Sequence, residues 1–418
     1  MKKQEENEGI LAPYRILDLT DEKGFLCGKM FGDLGADVIK IERPGGDPSR
    51  NIPPFYYDDP DPEKSLYWFA FNTSKRGITL NIELPEGQEL FRKLVKTADF
   101  VLESFPPGKM HEFDLDYATL ADINPRIIMT SITHFGQSGP YKDYRGSDIV
   151  AWAMSGYAKI TGDMDHPPLR VPLDQAYRFA SAHAAVATMI AHYYRLISGE
   201  GQHVDVSVYE CAVRANFQEP VFWECTRRLR PRASGFWHGE HILTRVIWRC
   251  QNGWVVRPFT GGHIGARENR ALVQWMDEEG MASTTLKNVD WPSVDARTIS
   301  QSEIESLQEP IGQFFLKHTK RELEDGALKR GIRLSAVANT EDLLRNEQFV
   351  ATNYWVKLNH PELDDVITYP GAFFRSDEII VKIRRRAPLI GEHNEQIYER
   401  ELGLSKREIL ALKRKNIV

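Results

Sequence analysis

Three side chains with catalytic potential fall in the longest helical pattern of the sequence, residues 174–198. Asp174 begins this pattern, and His183 and His192 lie inside it. The histidines are nine residues apart, so a helix does not place them on one face as a metal-binding pair, and we interpret them as packed or surface side chains. A carboxylate at a helix start is stabilised by free N–H groups and by the helix dipole. From these residues alone, Asp174 is interpreted as an N-cap.

The motifs of several common enzyme classes are absent from the sequence. No GxGxxG follows a strand-like segment, and Gly35 and Gly45-Gly46 do not form a dinucleotide loop, which argues against a nicotinamide cofactor. GxxxxGK[ST] is also absent, which argues against a P-loop. GxSxG and HExxH do not occur either. Generic motifs therefore leave the activity open.

The composition is typical of a globular protein with more than one domain. The 418 residues are 42% hydrophobic and 27% charged, which predicts two or three domains with sizeable cores. A net charge of −6 argues against a nucleic-acid partner, which would require a basic face. The cysteines are too few and too scattered for a disulfide scaffold or a metal knuckle, and they fit a reducing compartment. They are Cys27, Cys211, Cys225 and Cys250.

The N-terminus and the most apolar segment argue against export and against a membrane span. MKKQEENEG turns acidic and is followed by no apolar core, unlike a signal peptide. Residues 179–194 are shorter than the ~20 apolar residues that a bilayer requires, and they contain two histidines. We therefore expect a soluble, cytoplasmic protein with no membrane partner.

Alternating strand-like and helix-like segments predict a parallel α/β sheet in the first half of the chain. The strand candidates are 14–19, 37–41, 79–82, 100–103, 127–132 and 202–208, and the helix candidates are 24–34, 86–96 and 174–198. In such a sheet, ligands bind at the carboxyl ends of the strands.

The alternation is lost between about 222 and 262, where Trp and Arg become dense, which indicates a crossing between domains. Further helices are predicted at 269–279, 302–330 and 405–415, and a further strand at 378–383.

Several segments, in the right order, resemble the class III CoA-transferases, the family of the formyl-CoA and carnitine-CoA transferases. They are FGDLGADVIKIERPGGD (31–47), FNTSKRGITLNIELPEGQELFRKLVKTADFVLESFPPG (71–108), FGQSGPY (135–141), GQHVDVSVYECAV (201–213) and APLIGEHNEQIYERELGLSKREI (387–409). The resemblance implies a large Rossmann-like α/β domain built from both chain ends, a smaller middle domain and an interlocked dimer. We expect the large domain to begin with 1–222, the small domain to span 223–335, and 336–418 to link back to the large domain.

The resemblance also implies the reaction and its catalytic residue. Asp174, in VPLDQAYRFASAHAAVATMI, matches the aspartate that attacks the acyl-CoA thioester in this family. The attack gives a mixed anhydride and then an enzyme aspartyl-CoA thioester, from which CoA passes to a carboxylic acid acceptor. CoA and acyl-CoA are then substrates, and the expected mechanism uses no ATP, metal or redox cofactor.

The family's CoA-binding blocks imply which residues of this chain contact CoA. The matching positions are Arg43, Asn72, Lys75, Arg76, Ser104 and Phe105, together with Lys23 and Gly24 in the loop 20–24. The cationic side chains suit the CoA phosphates, and the loop is expected near the pantetheine and thioester. The alternative for each cation is a solvated surface charge.

Departures from the family pattern leave two alternatives open. The loop reads TDEKG where relatives often have uncharged or His/Gln-bearing residues, Ser104 stands for an Asn, and Glu112 stands for an Arg. These changes keep open a non-catalytic partner subunit of a heteromeric CoA-transferase. An acyl-CoA racemase is disfavoured, because Ser147 replaces the histidine of those relatives and a serine is not suited to shuttle the α-proton.

The acceptor is the least defined part of the sequence interpretation. An aromatic or dicarboxylic acid such as an arylsuccinate, with succinyl-CoA as donor, would use the Trp- and Arg-rich segment. Candidate side chains are Trp152, Trp223, Trp237, Trp248, Trp254, Arg227, Arg228, Arg230, Arg245 and Arg249. We favour the alternative that they pack at a domain interface and form a basic face. The expected assembly is a homodimer or a heteromer of related subunits.

Overall fold

The computed structural model describes residues 9–239, 242–295 and 297–418. Its strands, in chain order, are β1 (Arg15–Leu19), β2 (Asp37–Glu42), β3 (Lys75–Thr79), β4 (Phe100–Glu103), β5 (Ile128–Thr133), β6 (Gln202–Ser207), β7 (Phe236–His238), β8 (Leu243–Arg245), β9 (Ile247–Cys250), β10 (Gly253–Val256), β11 (Ser335–Ala336), β12 (Trp355–His360) and β13 (Asp365–Pro370).

Four of the helices, α1, α3, α8 and α17, begin and end within one residue of the predicted bounds. In chain order they are α1 (Phe25–Asp33), α2 (Leu66–Phe71), α3 (Pro85–Val95), α4 (Lys109–Glu112), α5 (Tyr117–Ile123), α6 (Asp148–Met154), α7 (Tyr157–Ile160), α8 (Gln175–Ser198), α9 (Val208–Ala215), α10 (Gln218–Thr226), α11 (Gly262–Glu278), α12 (Thr284–Lys287), α13 (Gln301–Phe315), α14 (Lys320–Arg330), α15 (Thr340–Leu344), α16 (Glu347–Ala351) and α17 (Lys406–Arg414). A π-helix spans Glu395–Glu401.

The contacts divide the chain into two units. The larger unit contains the residues up to Tyr157, then Val171–Pro220 and Gln348–Val418. The smaller unit contains Ala158–Arg170 and Val221–Glu347.

The larger unit is built on a parallel sheet with the strand order β3-β2-β1-β4-β5-β6. Strand β1 lies between β2 and β4, with Arg15 opposite Asp37 and Ile16 opposite Phe100. The direction of winding therefore reverses between β1 and β4, which opens a crevice at the carboxyl ends of these strands. The predicted central parallel sheet is confirmed.

Successive residues of β1 point to opposite faces of the sheet, and each face carries a hydrophobic core. Leu17 packs in the core that contains Leu94 of α3. Ile16 packs in the other core, against α8. Helix α8 presents small residues to this core, including Ala180 and Ala184, which are fully buried. Small side chains let the helix axis approach the sheet closely.

Three predicted elements are wrong in position or type. The strand expected at 79–82 instead spans Lys75–Thr79. Residues 378–383 form no strand in the described chain, because Lys382 N–H donates to Asp33 O at 3.1 Å instead of joining a ladder. The helix expected at 302–330 is two helices, because Thr319 forms a capping box that starts α14.

The smaller unit has its own core. Its antiparallel sheet has the order β11-β10-β9, and α11, α13 and α14 contribute to the same core. Trp248 is 1% exposed and lies edge-on to Phe315 at a centroid distance of 5.5 Å. Its indole N–H donates to Arg257 O at 2.9 Å.

A fully buried charge cluster joins β1, β2 and β3. Lys75 Nζ lies 2.8 Å from Asp18 Oδ2 and also donates to Phe25 O at 3.0 Å. Lys40 Nζ donates to Thr20 O, at the end of β1. Burial opposes the charge on Asp18, but Lys75 and Lys40 together lower the pKa of this carboxyl. The cluster thus fixes the point at which the chain leaves β1.

Replacing Lys75 with Met should destabilise the larger unit by about 3–5 kcal/mol, because the buried Asp18 carboxylate would lose its closest counter-charge. Urea unfolding followed by circular dichroism measures the loss. The matched control is Lys415→Met, which removes an exposed ion pair with Glu86 and should have little effect on stability. Equal effects of the two substitutions would contradict a structural role for the cluster.

Candidate active site

A cleft of about 780 Å³ lies at the carboxyl ends of strands of the parallel sheet. Leu19 lines it from β1, Arg43 from the end of β2, Ser104 and Phe105 from the end of β4, and His134 from the end of β5. This is the crevice that the reversal of strand order opens.

Four cations line the cleft. Lys23 and Arg43 were predicted as CoA contacts, but Lys142 and Arg145 were not singled out from the sequence. The last two lie in the loop after β5, in FGQSGPYKDYRG. A glycine-containing loop with two cations directly after a parallel strand was the signal that would have identified them.

The charged loop after β1 is fastened to the end of β4. Ser104 Oγ donates to Asp21 Oδ1 at 2.8 Å and accepts from Asp21 N–H at 2.8 Å. Lys23 Nζ also donates to the Asp21 carboxylate. The two departures from the family pattern, TDEKG and Ser104, are therefore bound to each other, and the negative charge of Asp21 is compensated within the loop.

Buried Glu103 positions the wall of the cleft next to Ser104. Its Oε2 accepts a hydrogen bond from Phe105 N–H at 2.7 Å. Burial raises the pKa of the Glu103 carboxyl to about 7. Phe105 is thus held through its backbone, and its ring remains at the cleft.

Four other predicted CoA contacts do not line this cleft. Asn72 Oδ1 accepts from Lys75 Nζ at 2.9 Å inside the buried cluster. Arg76 is 5% exposed, and its guanidinium bonds Asp37 and Glu401. Gly24 begins α1, where an added Cβ would lie 2.4 Å from the Thr20 methyl carbon, so its role is close packing. The site residues that come together are Lys23, Arg43, Ser104 and Phe105.

Asp174 immediately precedes α8 in a left-handed backbone conformation, with φ of 43°. Leu173 before it also has a positive φ, of 66°. Within the described chain, the Asp174 side chain makes no capping hydrogen bond to α8. The Tyr67 hydroxyl lies 3.5 Å from Asp174 Oδ2.

A different aspartate caps α8. Asp148, which is 3% exposed, accepts from Ala176 N–H at 2.7 Å and from Tyr177 N–H at 3.2 Å through Oδ1. These are N–H groups that a helix start leaves without an intrahelical acceptor. Because Asp148 accepts them, the carboxylate of Asp174 is not required for the cap that its position in the sequence suggested.

The first turns of α8 are joined to the cleft wall. Ser181 Oγ donates to Lys23 O at 2.7 Å, and the Tyr177 hydroxyl lies 3.1 Å from His134 Nε2. Burial, together with the charge of Lys23, lowers the pKa of His134 to about 4. At neutral pH this imidazole is uncharged and is suited to a hydrogen bond with a neutral phenol.

The Trp- and Arg-rich candidates are divided between the two units. Trp152 is buried in the larger unit beside Tyr157, at a centroid distance of 4.7 Å. In the smaller unit, Trp248 belongs to the core. Arg227 forms an exposed pair with Glu224. Trp152 and Trp248 therefore serve packing, and Arg227 contributes surface charge.

Comparison with known proteins identifies the family. The profile of CoA-transferase family III matches residues 11–394. The chain belongs to CoA-transferase family III. It is therefore an enzyme that transfers CoA, and CoA is its substrate.

Two curated relatives match along nearly the whole chain. The chain is 33% identical over 389 residues to succinyl-CoA:(R)-benzylsuccinate CoA-transferase subunit BbsE of Thauera aromatica, covering 92% of each protein. It is 39% identical over 395 residues to succinate–glutarate CoA-transferase of Agrobacterium fabrum, covering 93% of this chain and 94% of that protein.

The fold is similar to that of a solved structure. A CAIB/BAIF family protein from Brucella suis superposes with a TM-score of 0.80 at 25% identity, covering 94% of this chain and 99% of that protein. Among the described residues, no helix is long and apolar enough to cross a bilayer. The same residues contain no group of three or more His, Cys, Asp or Glu side chains placed to hold a metal ion.

Replacing Asp148 with Ala should lower the transferase kcat by about 10²-fold, because the backbone that carries Asp174 would lose its anchor. The loss of the cap itself should cost about 1 kcal/mol of stability. Asp148→Asn keeps an acceptor oxygen and should retain most of the activity. Asp116→Ala, which removes the cap of α5, is the control: it should lower stability and leave kcat unchanged. Equal kcat losses in the two Ala variants would contradict this role.

Proposed function

We propose that the protein moves CoA from an acyl-CoA donor to a carboxylic acid acceptor through an aspartyl-CoA thioester on Asp174. The observation that carries the proposal is that two aspartates near the start of α8 make different contacts. Asp148 accepts the N–H groups of α8, and Asp174 lies beside a tyrosine hydroxyl without a capping bond to α8. A carboxylate at a helix start that is not used for the cap is suited to act as a nucleophile.

The proposed reaction conserves the thioester bond. A carboxylate oxygen of Asp174 attacks the acyl carbon of the donor, the C–S bond breaks, and a mixed anhydride and CoA thiolate form. The thiolate attacks the aspartyl carbonyl carbon, which releases the donor acid and leaves the aspartyl-CoA thioester. The acceptor carboxylate then attacks this thioester, and the released thiolate attacks the acceptor acyl carbon of the new anhydride. The new acyl-CoA departs, and the Asp174 carboxylate is regenerated.

We infer that the cleft at the sheet edge binds CoA. Arg43, Lys142 and Arg145 supply positive charge for its phosphates, and Phe105 supplies an apolar surface. Lys23 and the loop after β1 then face the pantetheine and thioester end, because Lys23 O is bound to α8 at Ser181. We no longer assign Asn72, Lys75 and Arg76 to CoA, since their polar groups bind partners inside the protein.

The names of the relatives favour succinyl-CoA as donor and a dicarboxylic or aromatic acid, such as an arylsuccinate, as acceptor. We also propose a cytoplasmic location, in keeping with the four cysteines, all of which are free thiols.

We propose that a second chain, identical or a related subunit, covers an exposed apolar face of α8 in a dimer that is interlocked as the resemblance implies. Val186, Ile190, Tyr193 and Ile197 follow one another at helical spacing and are 60–74% exposed. An apolar groove continues from this face to Met30 and Leu34. Contiguous exposed apolar surface of this kind marks an interface. The word subunit in the names of two relatives keeps the heteromer as an alternative, in which this chain is the non-catalytic partner.

Asp174→Asn should abolish covalent labelling and lower kcat by at least about 10³-fold, because the nucleophile is lost. The enzyme is incubated with succinyl-CoA and hydroxylamine, which converts an aspartyl thioester or anhydride into a hydroxamate, and peptide mass spectrometry locates the label. Asp325→Asn, an exposed substitution in α14, is the control and should label normally.

A label in wild type that persists in Asp174→Asn would refute the role of Asp174. Full activity of a complex that contains Asp174→Asn together with a related subunit would favour the partner-subunit alternative.

Ile190→Asp should convert the dimer into monomers, because a desolvated carboxylate at the centre of an apolar interface is strongly unfavourable. Sedimentation velocity at micromolar protein concentration measures the change. Leu410→Asp introduces the same charge at another exposed apolar position, on α17, and should leave the dimer intact. A dimer that tolerates Ile190→Asp would exclude this face as the interface.

A further inference from the structure

Arg178 lies one helical turn after Asp174 and is held rigidly by α2. Its Nη2 donates to the Tyr67 hydroxyl at 2.6 Å. The centre of its guanidinium lies 3.5 Å from the centroid of the Phe71 ring. Stacking and a hydrogen bond from two residues of one helix fix both the position and the plane of the guanidinium.

This guanidinium has an unused donor. Its Nη1 is buried and has no hydrogen-bond partner among the described residues. Its bond through Nη2 is to a neutral hydroxyl. An arginine remains charged in proteins, and buried donors are almost always satisfied, so this site calls for an acceptor that is supplied from outside.

The position of Arg178 indicates the chemistry of that acceptor. The Tyr67 hydroxyl lies between Arg178 and Asp174, 3.5 Å from Asp174 Oδ2. Four residues along a helix correspond to a rise of ~6 Å, which is within the reach of a short diacid. A planar guanidinium matches a carboxylate in a bidentate geometry.

Arg178 and the nearby acids act in opposite directions on Tyr67. Asp174 and Glu22 are the carboxyl groups that raise the pKa of Tyr67, and Arg178 opposes them. Burial, together with Asp21, raises the pKa of the Glu22 carboxyl. Burial is the main cause that raises the pKa of Tyr67 to about 12, so this phenol stays protonated and remains a neutral partner at physiological pH.

We propose that Arg178, positioned by Tyr67 and Phe71, binds the second carboxylate of a dicarboxylic substrate while its first carboxyl group reacts at Asp174. The inference rests on the proposed function, because it assumes that Asp174 is the reacting carboxylate. In this proposal, Arg178 beside Asp174 determines the preference for dicarboxylic acids.

The test compares two acceptors of equal carbon number, glutarate and valerate, with succinyl-CoA as donor. Wild type should prefer glutarate in kcat/KM. Arg178→Met should reduce kcat/KM for glutarate about 10- to 100-fold more than kcat/KM for valerate, since valerate has no second carboxylate. Arg178→Lys keeps the charge but not the planar guanidinium. Its kcat/KM for glutarate should lie between those of wild type and Arg178→Met. Arg321→Met, at an arginine 83% exposed on α14, is the control and should behave as wild type.

A second measurement separates this inference from the proposed function. Thermal unfolding with and without glutarate reports binding whether or not the enzyme turns over, because a ligand that binds only the native state raises the melting temperature. Stabilisation of wild type and of Asp174→Asn by glutarate, but not of Arg178→Met, supports the subsite even where labelling at Asp174 fails. A glutarate preference retained by Arg178→Met, an equal loss for both acids, or equal stabilisation of Arg178→Met and wild type would overturn it.

Discussion

The hydrogen bonds from the start of α8 to Asp148 are the interaction on which the site depends. A helix start presents N–H groups that must be satisfied, and in most helices the residue before the first turn accepts them. Here Asp148, more than twenty residues earlier in the chain, accepts them from the core. Two aspartates near one helix start thereby differ in their contacts: Asp148 caps α8, and Asp174 makes no capping bond to it. The left-handed backbone at Leu173 and Asp174 is the local cost of this arrangement.

The loop after β1 shows how departures from a family pattern can compensate for each other. Three charged residues at the mouth of a cleft would disturb the binding of a polyanionic substrate if each were free. Instead, Asp21 takes hydrogen bonds from Ser104 and Lys23, and Lys23 O accepts from α8. Below the loop, the buried Asp18 cluster fixes the end of β1. The charged sequence is therefore a set of internal contacts that joins β1, β4 and α8, and it is compatible with an active cleft.

The sequence predicted most of the sheet because its strands are buried runs whose positions follow from local pattern alone. The strand at 100–103 has the same bounds in the structure, and most of the others differ by one or two residues. The burial of Lys75 and Arg76 could not be predicted from the local pattern, because a Lys-Arg pair has the same local sequence on a surface and in a core. Their partners, Asp18 and Glu401, are 57 and 325 residues away in the chain, so only the fold brings these charges together. Asp174 was accessible only through the family resemblance, since its local pattern is that of a cap.

Arg178 and the arginines of the segment after 222 differ in how firmly the surrounding residues hold the guanidinium, and this affects how specifically each can bind a carboxylate. The segment after 222 is rich in arginine. However, an exposed arginine such as Arg227 is paired with Glu224, and a solvent-exposed ion pair contributes little to stability. Arg178 lies outside the arginine-rich segment, and composition gives no reason to choose it. Its plane is fixed by an aromatic ring, its bonded partner is neutral, and one donor is buried without an acceptor. A cation whose orientation is fixed before the ligand arrives loses little entropy on binding, which favours Arg178 over an exposed arginine such as Arg227 as the proposed carboxylate site.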